Sequence, residues 1–175
     1  GHSANASYGS FDRKIVSVQS GAHNGNYSYY FNFKRFDEDG WRDISPSDAN
    51  NYYGNISYRN DYSELNLNLQ HANTDLTGNG ASPIELLKQS YDDIFTAPDV
   101  TENKMTSLSL DGSHWMNDSI LLSGRMYIRS TETDAFNGDL AEDDDVDGNG
   151  AQNDFNAINN ISTNDQDSKG FDGQV

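Results

Sequence analysis

The sequence predicts an all-β fold, an antiparallel up-and-down meander that forms a segment of a transmembrane β-barrel with long external loops. Three observations predict it. Apolar and polar residues alternate with period two over five stretches, the signature of strands with one apolar face. The connections alternate between short turns and long loops, which in consecutive antiparallel strands puts all short turns at one end and all long loops at the other. The apolar parity of the five stretches carries no acid, and its one base, Arg35, sits at the loop end where a long side chain reaches water.

Taken in chain order, residues 7–21 read as a weak strand in which only Val16 and Val18 alternate clearly. Tyr27, Tyr29, Phe31 and Phe33 then share one face, against Ser28, Tyr30, Asn32 and Lys34 on the other. Tyr52, Ile56 and Tyr58 oppose Tyr53, Asn55, Ser57 and Arg59, with Gly54 as a thin spot on the apolar face. Leu65, Leu67 and Leu69 oppose Glu64, Asn66, Asn68 and Gln70. A helix is predicted over residues 83–95 from the spacing of Ile84, Leu87, Tyr91 and Phe95, with Ser82 as N-cap and Pro83 in the first turn. Leu108 and Leu110 oppose Ser107, Ser109 and Asp111, and Ile120, Leu122, Met126 and Ile128 oppose Ser123, Arg125, Tyr127 and Arg129. A seventh strand is expected to begin near Gly170. The short turns fall at residues 23–26, 60–61 and 116–118, rich in Asn, Asp and Gly, and the long loops at roughly 36–50, 73–103 and 131–168. Charge is expensive in hydrocarbon, about 2 to 4 kcal/mol for Lys or Arg at the midplane, so Arg59, Glu64, Asp111, Arg125 and Arg129 are expected to face a wet lumen.

Composition narrows the classes further. The chain has 175 residues with 28 acids against 11 Lys plus Arg, a formal net charge of −17, which excludes nucleic acid as a partner. Leu, Ile, Val and Phe number 33, about 19%, which by itself points toward disorder, whereas the 10 Tyr, 8 Phe and 2 Trp point away from it. No apolar run reaches the roughly eighteen residues of a membrane helix, and residues 1–10 hold neither a basic nor an apolar segment. Without Cys there are no disulfides and no thiolate metal sites. Residues 1–131 carry 16 acids and 10 bases, residues 132–175 carry 12 acids and one base, so the tail reads as a separate acidic segment.

In its motifs the chain resembles the TonB-dependent outer-membrane receptors. The matching stretches are Ala6-Ser-Tyr-Gly-Ser-Phe-Asp-Arg13, Phe36-Asp-Glu-Asp-Gly-Trp-Arg-Asp43 with Ser45-Pro-Ser47, and Asp75-Leu-Thr-Gly-Asn-Gly80 with Ser82-Pro83 and Glu85-Leu-Leu87. Phe95-Thr-Ala-Pro-Asp99 and Gly112-Ser-His-Trp115 complete the set. The resemblance covers most of residues 4–138 and implies early barrel strands with external loops there, an enlarged acidic external loop over 139–168, and the start of the next strand at 169–175. It implies a bacterial outer-membrane location and import of a ferric siderophore or similar scarce nutrient. The implied partners are that nutrient or metal chelate, outer-membrane lipid, and TonB acting through a plug that this segment does not contain. It also implies that the chain is a fragment of a longer receptor and performs no covalent chemistry, and no G-x-S-x-G elbow, paired acid and base or phosphate loop is present.

Two candidate sites emerge. Asp143, Asp145, Asp147, Gly148 and Asp154 fall at positions 1, 3, 5, 6 and 12 of a calcium loop, with Asn149 at position 7 offering a carbonyl. Position 12 is Asp rather than Glu and no amphipathic helices flank it, so the competing reading is a solvated acidic loop; no cofactor is required, and calcium is the candidate. Trp41 and Arg42 offer stacking plus anion binding on an external loop, with loop packing as the alternative. His2, His23, His71 and His114 lack ligand spacing and read as surface or interfacial residues. From a different class, a secreted calcium-stabilised β-domain acting as an adhesion or binding module remains open, as does a segment that is disordered or pairs through its edges.

Overall fold

The computed structural model describes residues 1–78, 80–140 and 157–175. It contains eight strands, β1 (His2–Tyr8), β2 (Lys14–Asn24), β3 (Tyr27–Glu38), β4 (Ser47–Arg59), β5 (Ser63–Thr77), β6 (Asp99–Asn117), β7 (Ile120–Leu140) and β8 (Ala157–Gln174), with one helical turn, α1 (Ile84–Leu87), before β6. They form one sheet in sequence order, and every neighbouring pair is antiparallel.

The register assembles the faces expected from alternation. One hydrogen-bond row carries Ala22, Tyr29, Ile56, Leu67, Leu110, Met126 and Phe171, all on the apolar parity. Four residues toward the long loops, the row of Val18, Phe33, Tyr52 and His71 continues as Thr106, Ser130 and Asp167. The apolar band therefore crosses the hydrogen-bond rows obliquely, the geometry of strands that tilt as they do in a β-barrel.

Exposure on the two faces inverts the rule for water-soluble domains. Among the described residues no hydrophobic side chain is buried, while Ser109 is, at 8% exposed. Leu65, Leu67 and Leu69 are 46%, 40% and 49% exposed, whereas Asn66 and Asn68, between them, are half-buried. An enclosed sandwich needs its apolar rows stacked on one another, and these rows face outward. A Leu is worth about 1.5 to 3 kcal/mol only when something apolar covers it, and nothing among the described residues covers these.

The short turns share one device. Asn60 Oδ1 accepts from Tyr62 N (2.9 Å) and Ser63 N (2.7 Å), and Asn117 Oδ1 accepts from Ser119 N and Ile120 N, both at 3.0 Å. Gly25, at φ 56°, makes the third turn. Arg59 N donates to Asn26 O and Trp115 N to Tyr62 O, each at 2.8 Å, lacing adjacent turns together.

Four expectations need correction. Residues 7–21 are two strands, because the chain reverses at residues 9–13 with Phe11 (φ 60°) and Asp12 (φ 54°) in the left-handed region. Neither residue advertises that conformation; the strain is held by Gly9 N bonded to Arg13 O (2.9 Å), Asp39 N bonded to Phe11 O (2.9 Å), and an ion pair of Asp12 with Lys14. Two of the long loops are shorter than expected, 39–46 and 78–98, and β7 runs on to Leu140, because strand pairing continues past the apolar band into polar sequence with no periodicity to mark it. For the same reason the seventh expected strand begins at Ala157 rather than near Gly170, and residues 157–168 belong to it instead of to an acidic loop. Finally, the helix over 83–95 is one turn. Pro83 stands at its cap with no side-chain capping bond, Ser82 is engaged elsewhere, and Ile84, Tyr91 and Phe95 are exposed rather than packed as a stripe.

Candidate functional site

The polar face of β4, β5 and β6 is a connected hydrogen-bond network. Ser57 Oγ donates to Asn55 Oδ1 (2.7 Å) and Asn66 Oδ1 (2.6 Å), and Tyr53 OH and Asn55 Nδ2 both donate to Asn68 Oδ1, at 3.0 and 2.9 Å. The amides of Asn66 and Asn68 donate in turn to the two oxygens of Asp111, at 3.1 and 3.2 Å. Arg59 Nη2 pairs with Glu64 at 2.7 Å. Asparagine on alternate residues lets each side chain donate to one strand and accept from the next, which satisfies polar groups that crowd against each other on this face. Such a face is wettable, and its polar groups partner one another across the strands.

On β7, next to this network, Arg125, Tyr127 and Arg129 point to the same polar face. Arg125 lies between Asp111 and Asp172, and Arg129 between Ser107 and Ser168. On β3, Lys34 lies between Ser17 and Asn51.

At the long-loop end, Trp41 and Arg42 are brought together with the 78–98 loop. Arg42 Nη2 donates to Ser82 Oγ (2.6 Å) and Asp93 O (2.9 Å), and Nη1 donates to Gly80 O (3.4 Å). The Trp41 and Tyr91 rings lie 5.3 Å apart at 32°, and the Arg42 guanidinium is 5.5 Å from the Trp41 centroid. Arg42 therefore staples two loops that are about 40 residues apart in sequence, while Trp41 and Tyr91 keep exposed ring surface. Gly40 (φ 82°) permits the chain to close on Ser45, where a Cβ would meet the Ser45 carbonyl.

The calcium candidates Asp143, Asp145, Asp147, Asn149 and Asp154 lie outside the described residues. Among the described residues no group of three His, Asp or Glu is placed to hold a metal. His2, His71 and His114 each sit opposite a cross-strand hydroxyl and bond to it through Nδ1, to Ser20 (2.8 Å), Thr106 (2.9 Å) and Ser63 (2.8 Å). Near the short turns, Tyr27 and Tyr58 stack at 5.0 Å, with Tyr62 and Trp115 exposed close by.

Sequence reasoning missed two features that depend on register. The Asn network had a visible signal, Asn on alternate residues 66 and 68, but its partner strands did not follow from it. The second is an acidic row on the apolar side of the sheet above the band, where Asp37, Asp48, Asp75, Glu102 and Asp134 lie directly opposite one another across five strands. These residues are far apart in sequence and only strand pairing aligns them.

No family model matches this chain, and no curated protein sequence matches it. In shape it is similar to the crystal structure of the ferric-catecholate import receptor Fiu from E. coli K12 in its closed form, with a TM-score of 0.68 and 15% identity over 95% of this chain. The chain spans 26% of that receptor's length. At this identity the likeness is one of fold: an antiparallel meander matching part of the β-barrel of an outer-membrane receptor.

Proposed function

We propose that this chain is a wall segment of a TonB-dependent receptor of the bacterial outer membrane, importing a ferric chelate or a similarly scarce nutrient. The observation that carries the reading is the inversion of the two faces. Leucines are exposed on one parity and a bonded Asn, Ser and Asp network is half-buried on the other, an arrangement suited to lipid outside and water inside. The fold likeness to a ferric-catecholate receptor supports the same reading.

In this role the apolar band anchors the segment in lipid, and the rings of Tyr27 and Tyr58, paired on the apolar face, mark the interface on the short-turn side. The stapled loops at residues 39–46 and 78–98 contribute to the external vestibule, where Trp41 and Tyr91 offer ring surface to a ligand. Energy coupling through TonB belongs to a plug elsewhere in the receptor, and the segment carries no catalysis. Passage, not bond chemistry, is its work.

Adjacent residues on opposite faces make the test direct. In a Trp41→Phe, Trp115→Phe background refolded into vesicles containing lipids brominated along the acyl chains, the fluorescence of Tyr29→Trp, on the apolar row, should be quenched. That of Tyr30→Trp, on the polar face, should not be. A chain that stays monomeric in water without detergent, with neither tryptophan quenched, would instead be a secreted β-domain.

A further inference from the structure

The lower part of the polar face carries two guanidinium groups that the sheet itself leaves unsatisfied. Asp111 is directly opposite Arg125, yet both of its oxygens are taken by Asn66 and Asn68. Asp172, on the other side, forms no ion pair with Arg125, and Arg129 faces only Ser107 and Ser168. Among the described residues neither arginine makes a hydrogen bond or an ion pair, in contrast to Arg13, Arg35, Arg42 and Arg59, which all do. The two lie four residues apart on one strand face, about 13 Å between Cα atoms. Between them stands Tyr127, whose ring is packed against the bare backbone of Gly170. A recess of about 540 Å³ opens here, with Gln70, Met105 and Ser107 on its other side.

From this geometry we infer a wall-side anion site, Arg125–Tyr127–Arg129, that takes a small solute bearing at least two oxyanion groups. Guanidinium forks recognise carboxylate and phosphate groups in two-point fashion, and Ser107, Gln70 and the Tyr127 phenol add neutral donors between them. The recess has the size of a small-molecule site. Local chemistry has to produce this preference, because the chain as a whole carries −17 and repels anions at long range. The site lies in the half of β7 next to the short turn, away from the stapled loops, so a solute meets it after leaving the vestibule. This inference rests on the wall reading for the identification of the polar face as the lumen.

The test uses the full chain refolded in micelles of a nonionic detergent, with tripolyphosphate as the probe and calorimetry as the readout. Arg125→Gln and Arg129→Gln are each expected to weaken binding about tenfold or more, the scale of one charged hydrogen-bonded contact. Arg129→Lys keeps the charge but not the fork and should fall between wild type and Gln. Arg35→Gln, on the opposite face, should bind as wild type does. No binding by the wild-type chain at millimolar probe, undiminished wild-type binding by both Gln variants, or an equal loss in Arg35→Gln overturns the site. Unquenched Tyr29→Trp in brominated vesicles counts against the wall reading alone, and arginine-dependent tripolyphosphate binding under those conditions upholds the site without it.

Discussion

Tyr127 lies directly opposite Gly170 across the β7–β8 pair, and its ring occupies the space that a Cβ at position 170 would need. Tyr30 stands in the same relation to Gly21 on β2 and β3, with more room, since a Cβ at position 21 would be 3.2 Å from the ring. In both pairs an aromatic ring on the polar face covers a stretch of strand that glycine leaves bare.

Substitution of these glycines is expected to rank by clearance. Gly170→Ala should destabilise the refolded sheet by about 1 to 3 kcal/mol, the range for overpacking. Gly21→Ala should cost less, and Gly54→Ala, where nothing lies within 4 Å, should be neutral or slightly stabilising. Thermal unfolding in micelles checks the order. A Gly54 variant that loses more than the Gly170 variant contradicts it.

Neighbouring residues on opposite faces should respond oppositely to charge. Phe31→Arg places a cation in the apolar band and is expected to cost about 2 to 4 kcal/mol of membrane insertion. Asn32→Arg, one residue on, points to the polar face and should insert normally. Urea titration of the chain folded into vesicles reads both, and equal losses would argue against a lipid-facing band.

Asp75 sits between Asp48 and Glu102 in the acidic row. Like charges directly opposite one another repel, by roughly 0.2 to 1 kcal/mol for each pair. Asp75→Asn should therefore raise stability, more at low ionic strength than at 0.5 M salt, where screening has already removed most of the repulsion. A loss of stability at both salt concentrations would mean that the carboxylate is needed as a ligand or donor partner.

Arg42→Ala should release both loops at once. Its guanidinium is held by Ser82, Asp93 and Gly80 on one loop, and it is carried by the other. Amide exchange at residues 39–46 and 78–98 is expected to quicken about tenfold or more, with the strands unchanged. Arg42→Lys should restore little, since one ammonium cannot reach three acceptors spread over a planar fork. Faster exchange confined to residues 39–46 would show that the staple does not hold the second loop.

The Phe11–Asp12 turn should carry a pH dependence of definite sign. Hydrogen bonds from Lys14 and Tyr8 hold the Asp12 carboxyl below the ordinary aspartate range. A carboxyl with a depressed folded value stabilises the turn above its unfolded value and loses that contribution as pH falls through the folded one. Carbon-13 titration should find the Asp12 midpoint below that of an ordinary aspartate, and Lys14→Gln should raise it. An unchanged midpoint in Lys14→Gln would remove the pairing as its cause.

Much of the architecture was legible because a strand with one apolar and one polar face writes a period of two into the sequence. Leu65, Leu67 and Leu69 against Glu64, Asn66 and Asn68 state a strand and its faces without any partner in view. Where that period lapses, legibility lapses with it. Residues 157–168 are Ser, Thr, Asn, Asp and Gln apart from Ala157, Ile158 and Ile161, yet they extend β8 because β7 offers hydrogen bonds to them. The reversal at Phe11 and Asp12 puts a bulky Phe in the left-handed region at its crest, which masks the turn signal of Gly9, Ser10 and Asp12. The apolar spacing at Ile84, Leu87, Tyr91 and Phe95 imitates a helix that has no packed surface to support it beyond one turn.

The amino-acid order by itself determined which side chains share a face and at which end of the meander the short turns lie, because both follow from alternation and local turn chemistry. Tertiary structure alone decided which distant residues meet: Arg42 with Ser82 and Asp93, Asp111 with Asn66 and Asn68 instead of Arg125, five carboxylates along one row. The physical reason is that a strand's periodicity is a property of its own backbone, whereas register is a property of a pair. A shift of two residues between strands keeps every face intact and changes every neighbour.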